Sequence, residues 1–212
     1  MHKKLMLLVL VFLLVGCSEI RSDNSDYIGL VKNCLNKNVN TNEVSLGYRY
    51  YVPKGVHKIR DYDYNQAFKF GDNYIYLYVD IVSYFYKKDI KIDDNGDYFR
   101  NINYNGNKGY IKVNKKDDKY LVDILYHYSK VEFYADKNSL SKLITVSSII
   151  LNSVRYNDVV IERVLEGDLG RFSEFTYSLD KPEDTGNNFS QYLEEYVQKE
   201  EKENKNEQLP DE

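Results

Sequence analysis

The reactive residues of this chain are few. They are two histidines beyond His2, two cysteines, one run of alternating acids and amides, and one aspartate inside an apolar stretch. His57 and His127 lie far apart, and neither an H-E-x-x-H helix nor a Cys-x-x-Cys pair accompanies them. Zinc chemistry, which needs three or four clustered N and S ligands, therefore has no sequence support. His127, in Tyr126-His127-Tyr128, reads as a surface histidine at a strand end or turn. Asp93, Asn95 and Asp97 alternate like the first ligands of an EF-hand calcium loop. The sixth position, where that loop turns on Gly, is Tyr98, and the twelfth, where it closes with Glu, is Tyr104. The segment reads as a hairpin loop. Serine nucleophiles sit on a G-x-S-x-G elbow, and phosphate cradles need their own glycine spacing, which Gly106-Asn107-Lys108-Gly109 lacks. Asp80 interrupts an apolar run. If buried it needs a partner such as Arg49, Arg100 or Lys112; at a strand edge it needs none. Carboxylates are plentiful, so only their spacing in three dimensions can decide whether two converge as a glycosidase pair. These residues lead us to expect no metal, no cofactor and no catalytic set.

The elements that would hold these residues follow from periodicity. Ile28, Val31, Cys34 and Leu35 recur at helical spacing, and Ser25 or Asp26 can cap them, which predicts a helix over 26–37. Cys34 should pack there as a small buried hydrophobe. From Leu46 the period becomes two, which predicts a strand through Val52 that ends at Pro53-Lys54-Gly55. Gln66–Phe70 reads as a short strand. Tyr74–Tyr86, with both rows apolar or aromatic, reads as a long central strand. Tyr98–Tyr104, Tyr110–Val113, Tyr120–Tyr126 and Val131–Ala135 follow, with turns at Asn105-Gly106-Asn107, Lys115–Lys119 and near His127–Lys130. Leu140, Leu143, Ile144, Ser147, Ile150, Leu151 and Val154 share one face of a second helix over 139–153, with caps in Asp136–Ser139. Val159–Val164 reads as a last strand, and Phe172, Phe175, Tyr177 and Leu179 are expected to pack back on the body. The pattern gives an α+β fold, an antiparallel sheet of about five to seven strands with helices packed on it.

Both ends of the chain are of another kind. His2, Lys3 and Lys4 precede an unbroken apolar run from Leu5 to Val15, and Leu14-Val15-Gly16-Cys17 closes it. That run is too short to span a bilayer as a stable helix. It resembles the lipobox signal of bacterial lipoproteins. The resemblance implies cleavage between Gly16 and Cys17 and a diacylglyceryl group on Cys17. It further implies a lipid anchor, with palmitate-type acylation, on the extracytoplasmic face of a bacterial membrane. Cys34 is then left without an intrachain partner. Residues 18–24 form a short polar tether, and residues 25–182 are expected to form one domain.

At the other end, Glu183–Glu212 holds ten carboxylates against three lysines. Cys17–Pro182 is close to neutral, so nucleic-acid binding and polybasic lipid binding are not expected. Phe189, Tyr192, Leu193, Tyr196 and Val197 fall on one face of an amphipathic helix expected over 188–203. That face is a candidate surface for a protein partner, and a solvated tail follows it. The chain has 22 tyrosines, no tryptophan, and only Ala67 and Ala135 as alanines, a bias typical of an AT-rich genome.

Three pieces, taken in order, carry a second resemblance. An aromatic strand ends in Pro and Gly (Tyr48–Gly55), a long strand leads to Val79-Asp80, and a helix ends in Ile150–Tyr156 (ILNSVRY). This order resembles the Mog1/PsbP-like fold over about residues 24–156, whose members are mostly accessory, assembly or binding proteins. The expectation is thus a membrane-tethered, non-enzymatic binding or accessory module with an envelope protein partner. The alternatives are a small-ligand carrier with a tyrosine-lined pocket and an envelope hydrolase using carboxylates.

Overall fold

The structure is a computed structural model that describes residues 26–92 and 94–167. The lipobox residues Gly16 and Cys17, the tether, Asp93, the aromatic segment 172–179 and the C-terminal face from Phe189 to Val197 lie outside the described residues.

The fold is α+β. Helix α1 (Tyr27–Leu35) opens with Asp26, whose Oδ1 accepts the Gly29 N–H at 3.0 Å. Strands β1 (Glu43–Ser45) and β2 (Tyr48–Tyr50) form a hairpin on the turn Leu46-Gly47. The strand expected from Leu46 to Val52 is therefore only Tyr48–Tyr50, and a further strand, Glu43–Ser45, precedes it. Gly47 has φ +85°, a backbone state that breaks the extended run. Next come β3 (His57–Tyr62), β4 (Asn65–Phe70), β5 (Asn73–Val79) and the short helix α2 (Ile81–Phe85). The meander β6 (Tyr98–Tyr104), β7 (Asn107–Lys116), β8 (Lys119–Tyr126) and β9 (Ser129–Ala135) follows. Helix α3 (Lys137–Ser153), β10 (Arg155–Tyr156) and α4 (Asp158–Leu165) complete the described chain.

Two sheets result. The larger runs β3-β4-β5-β9-β8-β7-β6 and the smaller β1-β2-β10, with every pairing antiparallel. One face of the large sheet presents Phe68, Ile75, Leu77, Ile111, Val122, Ile124, Val131 and Phe133 to the core, all at most 1% exposed. Helix α3 packs on β8 and β9 with Leu140, Leu143, Ile144, Ile150 and Leu151, and α1 packs beside it on β6. Each such side chain contributes about 1.5–3 kcal/mol by leaving water. Cys34, buried and free, lies between the helices, its thiol directed at the Thr145 carbonyl at 3.6 Å. Burial pushes that thiol's pKa up, with a smaller opposing pull from Lys37.

Three expectations are corrected. The strand Tyr74–Tyr86 ends at Val79, and Asp80 caps α2, its Oδ1 accepting the Ser83 N–H at 2.7 Å. Asp80 therefore satisfies a helix end, and neither Arg49, Arg100 nor Lys112 is its partner. Val159–Val164 lies in a helix: Asn157 Oδ1 accepts the Val160 N–H, and Ile161 and Val164 bury at a three-residue spacing. Helix α3 begins at Lys137, and the cap contact there runs from Ser139 Oγ to the Asp136 carbonyl, since the Asp136 carboxylate makes no cap bond.

Candidate functional site

Ile150–Tyr156 is where the two sheets, α1 and the β8–β9 turn are tied together. Asn152 Nδ2 donates to the carbonyls of Cys34 (3.1 Å) and Lys37 (2.7 Å), closing the end of α1. Ser153 Oγ accepts the Tyr51 N–H at 2.8 Å and donates to the Ile150 carbonyl. Val154 is buried. Arg155 turns outward, and its Nη1 donates to the carbonyls of Asn152 (2.6 Å) and Val154 (3.0 Å) at the end of α3. That is a favourable place for a cation, because the last helical carbonyls lack partners. Tyr156 turns inward, and its hydroxyl donates to the His127 carbonyl at 2.8 Å and lies 2.9 Å from Ser129 Oγ.

The turn that Tyr156 holds is strained. His127 (φ +49°) and Tyr128 (φ +62°) both occupy the left-handed region that bulky residues avoid. Three backbone contacts fix it: the Tyr156 hydroxyl on the His127 carbonyl, the His127 N–H on the Lys108 carbonyl, and the Asp80 N–H on the Tyr128 carbonyl. An aromatic cluster packs around it. Tyr84 stacks on Tyr156 with ring centroids 3.7 Å apart, and the His127 ring stands edge-on to both. His127 is thus half-buried among tyrosines, which corrects its reading as a surface residue. Desolvation, then Lys87 and Arg155, push its pKa below the ordinary histidine value. Strain of this sort persists only where surroundings over-determine it, and it concentrates at functional sites.

On the solvent side of this cluster is a pocket of about 440 Å³, bounded by β1, the Leu46-Gly47 turn, β2, β10 and the start of α4. Its charged lining residues are Arg49, Arg155 and Asp158. Arg49 and Arg155 are directly paired across β2 and β10, and both are exposed. Such neighbours place their Cβ atoms about 5 Å apart, and like charges there repel. Neither arginine forms an ion pair among the described residues. The nearest acid on β1, Glu43, is held by Lys58 at 2.8 Å, and Asp158 accepts the Tyr84 hydroxyl at 2.9 Å. The small sheet is set in place from behind. The Tyr48 hydroxyl reaches Gln66 Oε1 (2.7 Å) and the Asp63 carbonyl, while Ser45 Oγ donates to the same carbonyl. Gly47 completes the fit: a Cβ there would lie 2.8 Å from Ile161 Cγ1.

A second charged group lies on the face of the large sheet opposite α1 and α3. Lys112, Asp123, Glu132 and Tyr76 stand in line across β7, β8, β9 and β5. Lys130 Nζ pairs with Glu132 Oε1 at 2.6 Å, and the Tyr110 hydroxyl donates to Asp123 Oδ2 at 3.0 Å. Asp123 Oδ1 is shielded from solvent and has no hydrogen-bond partner. Desolvation pushes the Asp123 carboxyl up to about 6, against the opposing pull of Lys130 and with a further push from Glu132.

Asp97, flagged as a calcium ligand, has a different part. Asp97 Oδ2 accepts the Lys115 N–H at 2.7 Å, and the Asp97 N–H bonds Asn114 Oδ1, so this acid pins a loop to β7. No cluster of three metal-ligating side chains occurs among the described residues. No helix among them is long and apolar enough to cross a membrane. His57 lies exposed on the edge strand β3. Sequence reasoning missed the Arg49–Arg155 pair, because β10 is only two residues long and its register on β2 leaves no local signal. The ILNSVRY segment was the one cue.

The chain matches no protein family profile and no curated protein. Among solved structures, it shows a likeness to a protein of Bacteroides thetaiotaomicron VPI-5482, with 10% identity and a TM-score of 0.34. The match covers 52% of this chain and 45% of that one, and a likeness at this score carries no argument.

Proposed function

We propose that this protein is a membrane-anchored extracytoplasmic lipoprotein, held by lipid on Cys17, and that it is a non-enzymatic binding module working through the pocket of the small sheet. The lipobox-like segment supports the address. The observation that carries the binding role is the in-register pair Arg49–Arg155 on the rim of a 440 Å³ pocket. Two unneutralised cations held side by side cost stability, and a partner that supplies the missing charge repays that cost. The pocket lining also exposes apolar surface at Val44, 79% exposed, and Val159, 61% exposed, follows the lining residue Asp158 in sequence. An apolar rim around charged groups is the composition of a recognition surface rather than of an idle one.

Position-specific photo-crosslinking tests this reading in the full chain within the membranes of its source cell. Crosslinker placed at Val44 or Val159 should capture the same adduct, while crosslinker at Tyr62, on the edge strand β3, should not. Equal capture from all three sites, or none from the first two, contradicts it. Mass spectrometry of the N-terminal peptide checks the address. A diacylglyceryl mass on Cys17 is expected, and Cys17→Ser should leave the signal uncut.

A further inference from the structure

We infer that the Arg49–Arg155 pocket binds a phosphomonoester group, carried either by a lipid headgroup or by a soluble compound. The inference rests on the reading of that pocket as the binding site and names its ligand class.

Three features converge on that chemistry. First, two guanidinium groups face one side of a single strand pair, and a phosphate with its charge of about −1.5 to −2 at neutral pH matches both at once. A monocarboxylate would match only one. Second, the pair is preorganised unequally. Arg155 has one Nη1 committed to the Asn152 and Val154 carbonyls, which fixes the plane of its guanidinium while leaving its other N–H groups to donate. The Arg49 side chain makes no hydrogen bond within the described residues and is free to swing onto a ligand. Third, Asn157, Asp158 and Val160 bring the start of α4 to the pocket wall, and the positive end of a helix favours an anion. The opposing charge is Asp158. Its carboxylate already accepts the Tyr84 hydroxyl, which draws it toward the aromatic cluster.

The lipid anchor on Cys17 would make either source available. Eight residues lie between Cys17 and Asp26, a reach of at most about 30 Å. The domain that carries the pocket would therefore start within that distance of the headgroup phosphates.

Arginine footprinting with phenylglyoxal on the full chain in neutral detergent gives the test, read by mass spectrometry residue by residue. Inorganic phosphate should slow modification of Arg49 at least fivefold relative to sodium chloride of the same ionic strength, and should leave Arg163, exposed on α4, unchanged. Equal slowing by chloride, or equal slowing at Arg163, overturns the inference. Calorimetry adds a second arm. Arg49→Ala should weaken phosphate binding about tenfold and Arg49→Lys less, because a lysine keeps the charge but loses the fork. Undiminished binding by Arg49→Ala overturns the inference as well. The source is separated by reconstituting the chain into phosphatidylcholine vesicles with or without phosphatidic acid, a phosphomonoester lipid. Protection of Arg49 by the anionic vesicles alone, with no added phosphate, assigns the lipid headgroup. Protection by inorganic phosphate without any effect of the vesicles assigns a soluble phosphoester. If phosphate fails while crosslinks from Val44 and Val159 persist, the ligand class falls and the binding-module reading stands. If both fail, both fall.

Discussion

Lys112, Asp123 and Glu132 stand on three neighbouring strands of the seven-stranded sheet; Arg49 and Arg155 stand on two neighbouring strands of the three-stranded one. In the first row the signs mix. Lys130 pairs with Glu132, Lys112 lies opposite Asp123, and the tyrosine hydroxyl of Tyr110 fills one lone pair of Asp123. In the second row the signs repeat, and no carboxylate pairs with them among the described residues. In the first row Lys112 and Glu132 are buried and Asp123 half-buried, while the second row is exposed. A buried charge has to find its complement inside the fold, because solvent cannot supply it. An exposed charge is under no such constraint, so an unanswered pair there is available to a ligand. The large-sheet row is therefore structural chemistry, and the small-sheet row is the one we propose for binding.

The largest expected effect breaks the structural row. Glu132→Ala should cost about 3–5 kcal/mol in urea unfolding, because it removes the carboxylate held 2.6 Å from the poorly hydrated Lys130 ammonium. A cost under about 1 kcal/mol would show the row to be as dispensable as a surface pair. Gly47→Ala comes next, at about 1–3 kcal/mol, since it forces a Cβ into Ile161 and an L residue to φ +85°. It should loosen the small sheet from α4, which hydrogen exchange at β2 and β10 would register while β7–β9 stay protected.

The pH dependence sharpens the comparison further. Asp123 is raised to about 6 in the fold, above its ordinary carboxyl value. The native state then binds more protons than the unfolded chain over roughly pH 4–6, so this group's contribution is full at low pH and is lost as pH rises through about 6. Asp123→Asn should remove that slope and gain more relative to wild type at pH 7.5 than at pH 5. His127 works in the opposite sense. Its depressed value means the unfolded chain binds the proton more readily, so its contribution is present above the ordinary histidine value and is lost on acidification. His127→Gln should flatten the acid side and leave the neutral side unchanged. The smallest effect belongs to the binding row. Arg49→Ala should change stability by a few tenths of a kcal/mol, in the stabilising direction, by removing a like-charge neighbour.

What could be read from the sequence divides along similar lines. Tyr98–Tyr104 and the turn Asn105-Gly106 were legible, because Asn-Gly carries its own left-handed preference and the strand its own alternation. Helices α1 and α3 were legible from spacing and from Asp26. The turn at His127-Tyr128 was legible in place but not in kind. Its backbone is imposed by Tyr156 and Asp80, residues distant in sequence. Strand β3, His57–Tyr62, gave no signal because an edge strand carries charges that read as loop. Helix α4 misread as a strand because Val159, Val160 and Ile161 are β-branched, and only packing against Gly47 and α2 makes them helical. The two-sheet arrangement stayed hidden for the same reason as the arginine pair. Both depend on a two-residue strand whose partner is more than a hundred residues away.

The measurement that bears most directly on this account is urea unfolding of the full chain and its Arg49→Ala variant, in phosphate and in sodium chloride at equal ionic strength. Phosphate also stabilises proteins by exclusion from their surface, equally in both chains, so the difference between them is what counts. The account predicts that phosphate adds about 1 kcal/mol to the wild type beyond what it adds to Arg49→Ala, as a tenfold difference in affinity requires. An identical gain in both chains would contradict it, and the exposed arginine row would then be a tolerated repulsion with no ligand to answer it.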